Sequence, residues 1–334
     1  MISFIIPIYN TKLELLKRCF SSILELKHLK YEVLLIDDGS EKFIEEFCKD
    51  FIKDYSNFYF FRKENEGVSR ARNLGIKLAK GNYVFFIDSD DTIVAESLDS
   101  LKLEKDTDLV LFDFELIEKE KKKEIKVLDI INKKNFNLKD IVLEFLINSD
   151  LNAPWAKIYH RQFLLKNHII FNKEIVTGED LNFNLDCLMC NPKIIYEKKV
   201  VYNYYREEIS SRNRLLKYKE RLIGNYNYLE KKKLKILSKL DLDFQEKIFF
   251  IKNIVSLKIK NIFNTIIDAE EEKILTLNFK NKIEENIRED LKNIKYTNFF
   301  TKLRYFLMYF KLWIIIKIVG KFRKLYLKVR RAKI

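Results

Sequence analysis

Three carboxylates lie within four positions directly after the short apolar run "NYVFFI". They belong to Asp88, Asp90 and Asp91. Like charges at this spacing repel one another, so the group needs a neutralising partner. A divalent cation held by one or two carboxylates and completed by substrate phosphates is one such partner. The alternatives are a helix N-cap formed by Ser89 or Asp90, and a calcium loop, whose characteristic glycine and terminal glutamate are absent.

A second acidic pair, Glu179 and Asp180, follows a glycine in "VTGEDLNF" and precedes an apolar helical pattern. A carboxylate in such a place could take a proton from an acceptor hydroxyl during group transfer. Gly-Glu-Asp ahead of a helix is also a common capping pattern. The residues alone therefore leave both catalysis and capping open.

The elements that would position these residues alternate between strand and helix in the first hundred residues. Predicted strands lie at 2–9, 31–38, 57–63 and 82–88. Apolar strands that lack strict alternation and are separated by helices predict a parallel sheet covered on both faces. Ligands of such sheets bind beyond the carboxyl ends of the strands. Asp37 and Asp38 end the second strand, so they and the Asp88 cluster are predicted at the same rim.

The remainder of the chain predicts a two-part organisation. A further strand is expected at 107–118, with a basic hairpin after it, and the chain is predicted helical from about residue 213. The fold class predicted is α/β, a three-layer α/β/α domain at 1–212 with a helical extension at 213–334. Within the domain, 1–100 would form the nucleotide-binding half and 101–212 the acceptor half.

Charge placement adds an expectation about partners. The 334 residues carry a formal charge of +14, which predicts an anionic partner. No acidic residue follows Asp290, and cations alternate with Trp, Phe, Leu and Ile through 296–334. That pattern suits a helix lying on an anionic membrane, although a core-packed helix with basic outer positions stays open. The N-terminus lacks secretory-signal features, which favours the cytoplasm.

Four motifs then occur in one order at sensible intervals: "IIPIYN", "LLIDDGS", "NEGVSRARNLGIKLAKGNYVFFIDSDD" and "GED". Together they resemble glycosyltransferase family 2, enzymes of the GT-A fold that use nucleotide-sugar donors. The resemblance covers residues 2 to about 206. Beyond residue 213 the sequence carries no signature of the family.

The resemblance implies roles for residues on the donor side. Pro7 and Tyr9 would flank the uracil or ribose of the donor. Asp38 would accept hydrogen bonds from the nucleoside, and Arg72 would lie near the nucleotide. Asp37 would hold the end of its strand.

The resemblance also implies the metal site and the base. Asp88 and Asp90 form a DxD motif in which Asp88 faces the ribose or donor sugar and Asp90 ligates Mn²⁺ or Mg²⁺. Asp91 would be a cap or a supporting group. Asp180 would be the catalytic base, with Glu179 as the second candidate.

Two later stretches resemble acceptor and diphosphate elements of the family. In "NAPWAKIYHRQFL", the ring of Trp155 could stack on a sugar and Lys157 could meet a phosphate, although a core tryptophan is equally open. In "YYREEISSRN", Arg206 and Ser210 would close over the diphosphate and exclude water. The alternative is a strand end with solvated polar residues.

The function expected is inverting, metal-dependent transfer of a hexose or N-acetylhexosamine from a nucleotide sugar, a UDP-sugar in the first instance. The acceptor would be a growing, lipid-linked bacterial surface glycan of the capsule, exopolysaccharide, lipopolysaccharide or teichoic type, and the enzyme would lie peripherally on the inner face of the cell membrane. An oxidoreductase would need a GxGxxG loop after the first strand, which is absent. The alternative is a basic nucleic-acid- or membrane-binding module without catalysis; a nucleic acid is not the expected partner.

Overall fold

The computed structural model describes residues 1–103, 106–118, 121–127, 129, 136–206, 211–271, 276–288, 290–312, 315–316 and 319. The chain forms two compact units. One comprises Met1–Glu174 with Glu179–Glu208, and the other comprises Ile175–Gly178 with Ile209–Ile334.

The first unit is built on a mixed sheet, to which the described residues contribute nine strands. The strands are β1 (Ile2–Ile8), β2 (Tyr31–Asp37), β3 (Phe58–Arg62), β4 (Tyr83–Phe86), β5 (Thr92–Ile93), β6 (Leu109–Glu118), β7 (Lys121–Ile125), β8 (Lys157–His160) and β9 (Ile194–Tyr205). Their order is β3-β2-β1-β4-β8-β6-β9-β5, with β7 paired to β6.

The first four strands in this order are parallel, as the sequence predicts. β1 pairs with β2 on one side and with β4 on the other, so Ile5 lies between Leu34 and Phe86. The connecting helices are α1 (Leu13–Leu24), α2 (Lys42–Phe51) and α3 (Val68–Leu78). Every residue of β1 is buried, because side chains cover both faces of a parallel sheet. This half of the unit therefore places Asp37 and Asp38 at the carboxyl end of β2 and Asp88 at that of β4, on either side of β1.

The other half of the sheet is mixed, and it completes the rim. β8 runs antiparallel to β4 and β6, and β7 forms the predicted hairpin with β6. The helices are α4 (Ala95–Asp99), α5 (Leu138–Ile147), α6 (Arg161–Lys166) and α7 (Glu179–Met189). β5 pairs with β9 directly after the acidic turn, so α4 begins only at Ala95 and has no side-chain cap. Neither Ser89 nor Asp90 is therefore a helix cap.

The second unit is helical, as predicted. Its helices are α8 (Ser211–Lys239), α9 (Phe244–Glu271), α10 (Leu277–Arg288), α11 (Leu291–Ile294) and α12 (Phe299–Tyr309). Ile223, Val255, Ile262, Phe279 and Met308 are among the residues of its apolar core. In the described part of the chain, no helix combines the length and apolarity needed to cross a bilayer. Residues 313–314, 317–318 and 320–334 of the predicted basic tail lie outside the described residues.

A buried ion cluster joins three helices of this second unit. The Lys258 Nζ donates to Glu230 Oε2 at 3.2 Å and to Asp290 Oδ1 at 2.9 Å. It also donates to Asn227 Oδ1 and to the Asn286 carbonyl, at 2.9 and 3.0 Å. Lys258, Glu230 and Asp290 are all buried. One cation therefore faces two carboxylates away from solvent.

Candidate active site

Arg72 on α3 connects the two acidic groups that the sequence singles out. Its Nη1 donates to Asp180 Oδ1 at 2.6 Å, and its Nη2 donates to Asp88 Oδ1 at 2.8 Å. The arginine side chain is 4% exposed, whereas those of Asp88 and Asp180 are 30% and 26% exposed. Burial disfavours the charge, but Asp180 and Asp88 outweigh it and raise the pKa of Arg72 above its usual value. The guanidinium is thus a fixed cation beneath two carboxylates that reach solvent.

The fork of Arg72 is not fully used. Its buried Nε has no hydrogen-bond partner among the described residues. Its guanidinium also lies over the Phe171 ring, 5.2 Å from the ring centroid. Buried donors without a partner are uncommon, and the Arg18 Nε beside the acidic turn is a second one.

The acidic turn after β4 is held by an arginine and two tyrosines. Asp91 is buried, and it accepts from the Tyr202 hydroxyl and from the Tyr205 backbone N–H, both at 2.8 Å. Burial, with Asp88 and Asp90 nearby, raises the pKa of Asp91 well above its usual value. Arg18 on α1 donates to the Asp90 carbonyl. Asp91 therefore anchors the turn to β9, and Asp88 and Asp90 are the acidic side chains of the turn that remain partly accessible.

This turn fits a divalent cation held with the help of a substrate. No cluster of three or more His, Cys, Asp or Glu side chains within the described ranges could hold a metal by itself. Mg²⁺ and Mn²⁺ do not need such a cluster when substrate phosphates supply the remaining ligands. Besides burial, the charges of Asp88 and Asp90 raise the pKa of Asp91, so the turn concentrates negative charge. Asp90 and Asp88 are the residues that could hold the ion.

Asp180 is placed by the first turn of α7. The helix begins at Glu179, so Asp180 lies inside its first turn, where the helix dipole favours negative charge. The Asn184 side chain donates to the Asp180 carbonyl at 3.0 Å and to the Asn152 carbonyl at 2.7 Å, which ties the helix start to a loop of the same unit. Glu179 adds to the negative potential at Arg72.

Lys157 lies near the proposed base but is buried. Its Nζ donates to the Ala153 carbonyl at 2.7 Å and lies 5.7 Å from the centroid of the Phe145 ring. Burial lowers the pKa of Lys157 to about 7, although the charge of Asp180 acts in the opposite direction. Its ammonium group is therefore not exposed to an acceptor phosphate in this conformation.

Of the residues predicted to bind the nucleoside, Tyr9 is accessible, whereas Asp38 is already hydrogen-bonded within the protein. Tyr9 follows β1 and is exposed, while Pro7 is buried within that strand. The buried Asp38 accepts from the Lys63 ammonium and from the backbone N–H groups of Glu66 and Gly67. Its carboxylate thus holds the loop after β3. Contact between Asp38 and a nucleoside stays a prediction, and the loop contacts leave little of this carboxylate unused.

Asp37 has the supporting role that the sequence analysis gives it. It is buried and accepts from Arg62 Nη1 at 2.5 Å and from the Ser40 N–H at 3.0 Å. These bonds fix the turn at the carboxyl end of β2.

The acceptor-side residues are placed differently from the acidic ones. Trp155 is 6% exposed, and its ring stacks on Tyr202 at 4.8 Å and on Tyr204 at 5.1 Å between centroids. This favours the core tryptophan that the sequence left open over a sugar platform. Arg206 is exposed at the end of β9, with its guanidinium 5.8 Å from the centroid of the Tyr204 ring. Ser210 lies outside the described residues.

The sequence reasoning assigned Asn73 only to shaping the start of its helix, and it missed Arg18. The Asn73 side chain makes two hydrogen bonds of 2.8 Å with the backbone of Phe171, which carries the ring beneath Arg72. Arg18 lies over the Tyr205 ring at 3.5 Å and holds the acidic turn. Asn73 stands next to Arg72 in "SRARN", which is a usable signal. Arg18 sits in an ordinary amphipathic helix, and nothing in its sequence neighbourhood marks it.

The sequence of the chain is similar to those of known glycosyltransferases. Residues 3–165 match the family described as Glycosyl transferase family 2. Glycosyltransferase GlyA of Streptococcus pneumoniae is 27% identical over 213 residues, which cover 61% of this chain and 30% of GlyA. Glycosyltransferase GlyG of the same organism is 35% identical over 118 residues, covering 34% of this chain and 39% of GlyG. The chain therefore spans well under half the length of either relative.

A solved structure supports the fold over nearly the whole chain. Residues 1–349 of TarS from S. aureus, in complex with UDP-GlcNAc, superpose with a TM-score of 0.60 at 18% identity. The match covers 92% of this chain and 89% of that one. The predicted α/β class with a helical C-terminal region is thereby confirmed.

Proposed function

From the premise that this chain belongs to glycosyltransferase family 2, we propose that it transfers a hexose or N-acetylhexosamine from a nucleotide sugar to a glycan. The observation that carries the proposal is the position of Arg72, which joins Asp88 of the acidic turn to Asp180 of α7. A donor-side carboxylate and a candidate base therefore meet at one cation on the rim of the sheet, where ligands of such sheets bind.

The donor we propose is a UDP-sugar. The TarS structure holds UDP-GlcNAc, and the present chain shares that fold. Tyr9 is exposed at the end of β1 and could stack on the base, with Pro7 shaping the strand end beneath it. Asp38 would contribute to nucleoside binding only through what its loop contacts leave unused.

The cofactor we propose is Mn²⁺ or Mg²⁺, held by Asp90 with Asp88. When bound, such an ion neutralises the charge that develops on the departing diphosphate. Asp91 keeps these two carboxylates in place through its bonds to Tyr202 and Tyr205. Arg206 and Ser210 would then close over the diphosphate and limit hydrolysis of the donor.

Asp180 is the base that we propose for the acceptor hydroxyl, with Glu179 as the second candidate. Asp180 Oδ1 is held by Arg72 and the side chain is partly exposed, so it is both oriented and accessible. Removal of the acceptor proton by one carboxylate suits a single displacement, which would invert the anomeric centre. No covalent nucleophile is needed for that route.

The acceptor and location are proposed from the basic C-terminal segment. We propose a lipid-linked glycan of the bacterial surface, made at the inner face of the cell membrane, with the domain boundary near residue 212. An enzyme that binds the membrane at 296–334 would share a surface with such an acceptor.

A panel of nucleotide sugars, tested with the full chain and Mn²⁺ or Mg²⁺, checks the proposal. We expect turnover of one donor, loss of that turnover with a chelator, and loss in both Asp90→Ala and Asp180→Ala. Donor binding should weaken in Asp90→Ala and persist in Asp180→Ala. Asp50→Ala, which removes an exposed carboxylate from α2, is the matched control and should keep activity. Absence of turnover with every donor would contradict the proposal.

A further inference from the structure

Helix α12 has two apolar faces, and the core covers one of them. Thr301, Tyr305 and Met308 are buried and point to the interior of the second unit. The Thr301 hydroxyl lies 3.2 Å from the Ser256 hydroxyl of α9, which fixes that face against its neighbour. Helix α12 therefore packs on the core of the second unit through this face alone.

The opposite face forms an exposed apolar stripe. Phe299, Leu303, Phe306 and Phe310 are all exposed, and their spacing of four, three and four residues places them on one line along the helix. We call these residues the α12 stripe. A surface helix normally turns charged or polar residues to the solvent on this side. Large apolar side chains that line up in this way mark an interaction surface.

The charges beside the stripe indicate what it contacts. Lys302 is exposed next to it, and Lys311 is exposed directly after its last residue, Phe310. Lys311 also pairs with Glu284 at 2.9 Å. No Asp or Glu occurs in the sequence after Asp290, so the chain that continues from this helix is cationic and rich in Trp, Phe, Leu and Ile. Such a surface is complementary to an anionic apolar interface.

We propose that the α12 stripe inserts into the interface of a bilayer that contains anionic lipids, with the helix lying in the membrane plane. Aromatic and aliphatic side chains enter the boundary between head groups and acyl chains, while neighbouring lysine and arginine side chains reach the lipid phosphates. The inference deepens the membrane location in the proposed function by naming the contacting side chains. Vesicle binding requires no donor turnover, so either idea can fail without the other.

Vesicle sedimentation of the full chain tests the proposal. Phosphatidylglycerol-containing vesicles should bind the protein, and pure phosphatidylcholine vesicles should bind it far less. Phe306→Ser with Phe310→Ser should lower the partition coefficient by about tenfold or more, because two large side chains lose their apolar contact. Phe43→Ser is the matched control, since Phe43 on α2 is 52% exposed and the stripe residues Phe306 and Phe310 are 47% and 56% exposed. The control should bind as the wild type does.

A fluorescent substitution measures insertion directly. Phe306→Trp should gain a blue-shifted emission with anionic vesicles and be quenched by brominated lipids, over the background of the native tryptophans. Phe43→Trp should show neither change.

Three results would overturn the proposal. The first is vesicle binding that survives loss of the stripe and falls only with salt, which would assign binding to the basic chain alone. The second is an oligomer in light scattering that the stripe substitutions dissociate without affecting vesicle binding, which would make the face a contact between copies. The third is an emission spectrum of the Phe306→Trp variant that anionic vesicles do not change.

Discussion

Two buried cations in this protein each bridge a pair of carboxylates, but their surroundings differ. Arg72 joins Asp88 to Asp180 in the first unit, and Lys258 joins Glu230 to Asp290 in the second. The carboxylates bound to Arg72 are about a quarter to a third exposed, whereas those bound to Lys258 are buried. A bridge with an open side can give one partner to a ligand, and a closed bridge cannot do so without unfolding.

Hydrogen bonding distinguishes the two cations but not the two clusters, since Asp290 Oδ2 is also buried without a partner among the described residues. Lys258 meets four oxygen atoms from α8, α10 and the turn before α11, so its donors are fully used. Arg72 retains a buried Nε without a partner in the described part of the chain. The exposure of the carboxylates therefore separates a bridge that a ligand could reach from one that only stabilises packing.

Asp180→Asn should remove the proposed base while keeping its shape. We expect turnover to fall by about 10²–10⁴-fold, because the amide cannot take a proton from the acceptor. The free energy of unfolding should also fall, because Asp180 is one of the two carboxylates that offset the burial of Arg72, so turnover is expressed per folded molecule. Steady-state kinetics with the donor found in the screen measures the loss. Asp290→Asn is the matched control and should retain turnover, since Asp290 belongs to the buried cluster of Lys258, Glu230 and Asp290, called the closed cluster below. Near-normal turnover in Asp180→Asn would assign the role of base to Glu179 instead.

Lys258→Met should lower the stability of the protein without lowering its turnover. Removal of this cation leaves Glu230 and Asp290 buried without compensation, which costs about 3–5 kcal/mol of unfolding free energy. Turnover per folded molecule should not change. Urea unfolding followed by far-ultraviolet circular dichroism measures the first quantity. Lys53→Met, which breaks an exposed pair with Asp50, should change the free energy of unfolding far less. A comparable cost for both substitutions would mean that the closed cluster contributes no more than a surface pair.

The parallel strands could be predicted from the sequence, because each is an uninterrupted apolar run that ends in polar residues. That placement put Asp88 and Asp38 at one rim, and the pairing of β1 with β2 and β4 agrees with it. It was not sufficient to show that Arg72 binds Asp180, which lies 108 positions further along the chain. Contacts over such distances depend on how the mixed half of the sheet folds back, and local patterns do not encode that path.

Burial was the other property that local patterns left undecided. Trp155 is enclosed by Tyr202 and Tyr204 of β9, and Asp38 is occupied by groups of the loop after β3. Both residues match functional motifs by type and spacing. Their accessibility depends on side chains contributed by other segments, which only the folded chain brings together.

The free energy of unfolding should depend on pH through Asp290 of the closed cluster. Burial raises the pKa of Asp290 to about 7, with Lys258 acting against the rise and Glu230 adding to it. The same side chain in an unfolded chain loses its proton near pH 3.9. Between these values the folded state binds the extra proton, so stability falls as pH rises from about 4 to about 7, by up to roughly 1.4 kcal/mol per pH unit.

Asp290→Asn cannot ionise, so it should flatten that part of the stability curve. Urea unfolding of both proteins at several pH values between about 5 and about 8 measures the difference. The contribution of Asp290 is fully present below its unfolded pKa and is lost through its folded pKa. Parallel curves for the two proteins would show that this carboxyl does not titrate with folding.

Arg72→Lys should have a smaller effect than the other substitutions, and it separates the charge of Arg72 from its geometry. A lysine keeps the charge but not the planar fork, so it cannot hold Asp88 and Asp180 in the present geometry. We expect kcat to fall by about tenfold, with a changed pH profile, while unfolding free energy changes by less than about 1.5 kcal/mol. Lys258→Arg is the matched exchange in the closed cluster and should alter stability without altering the pH profile of kcat. If Arg72→Lys lowered stability and left that profile unchanged, Arg72 would be a packing cation of the same kind as Lys258, and the open bridge would have no part in positioning the base.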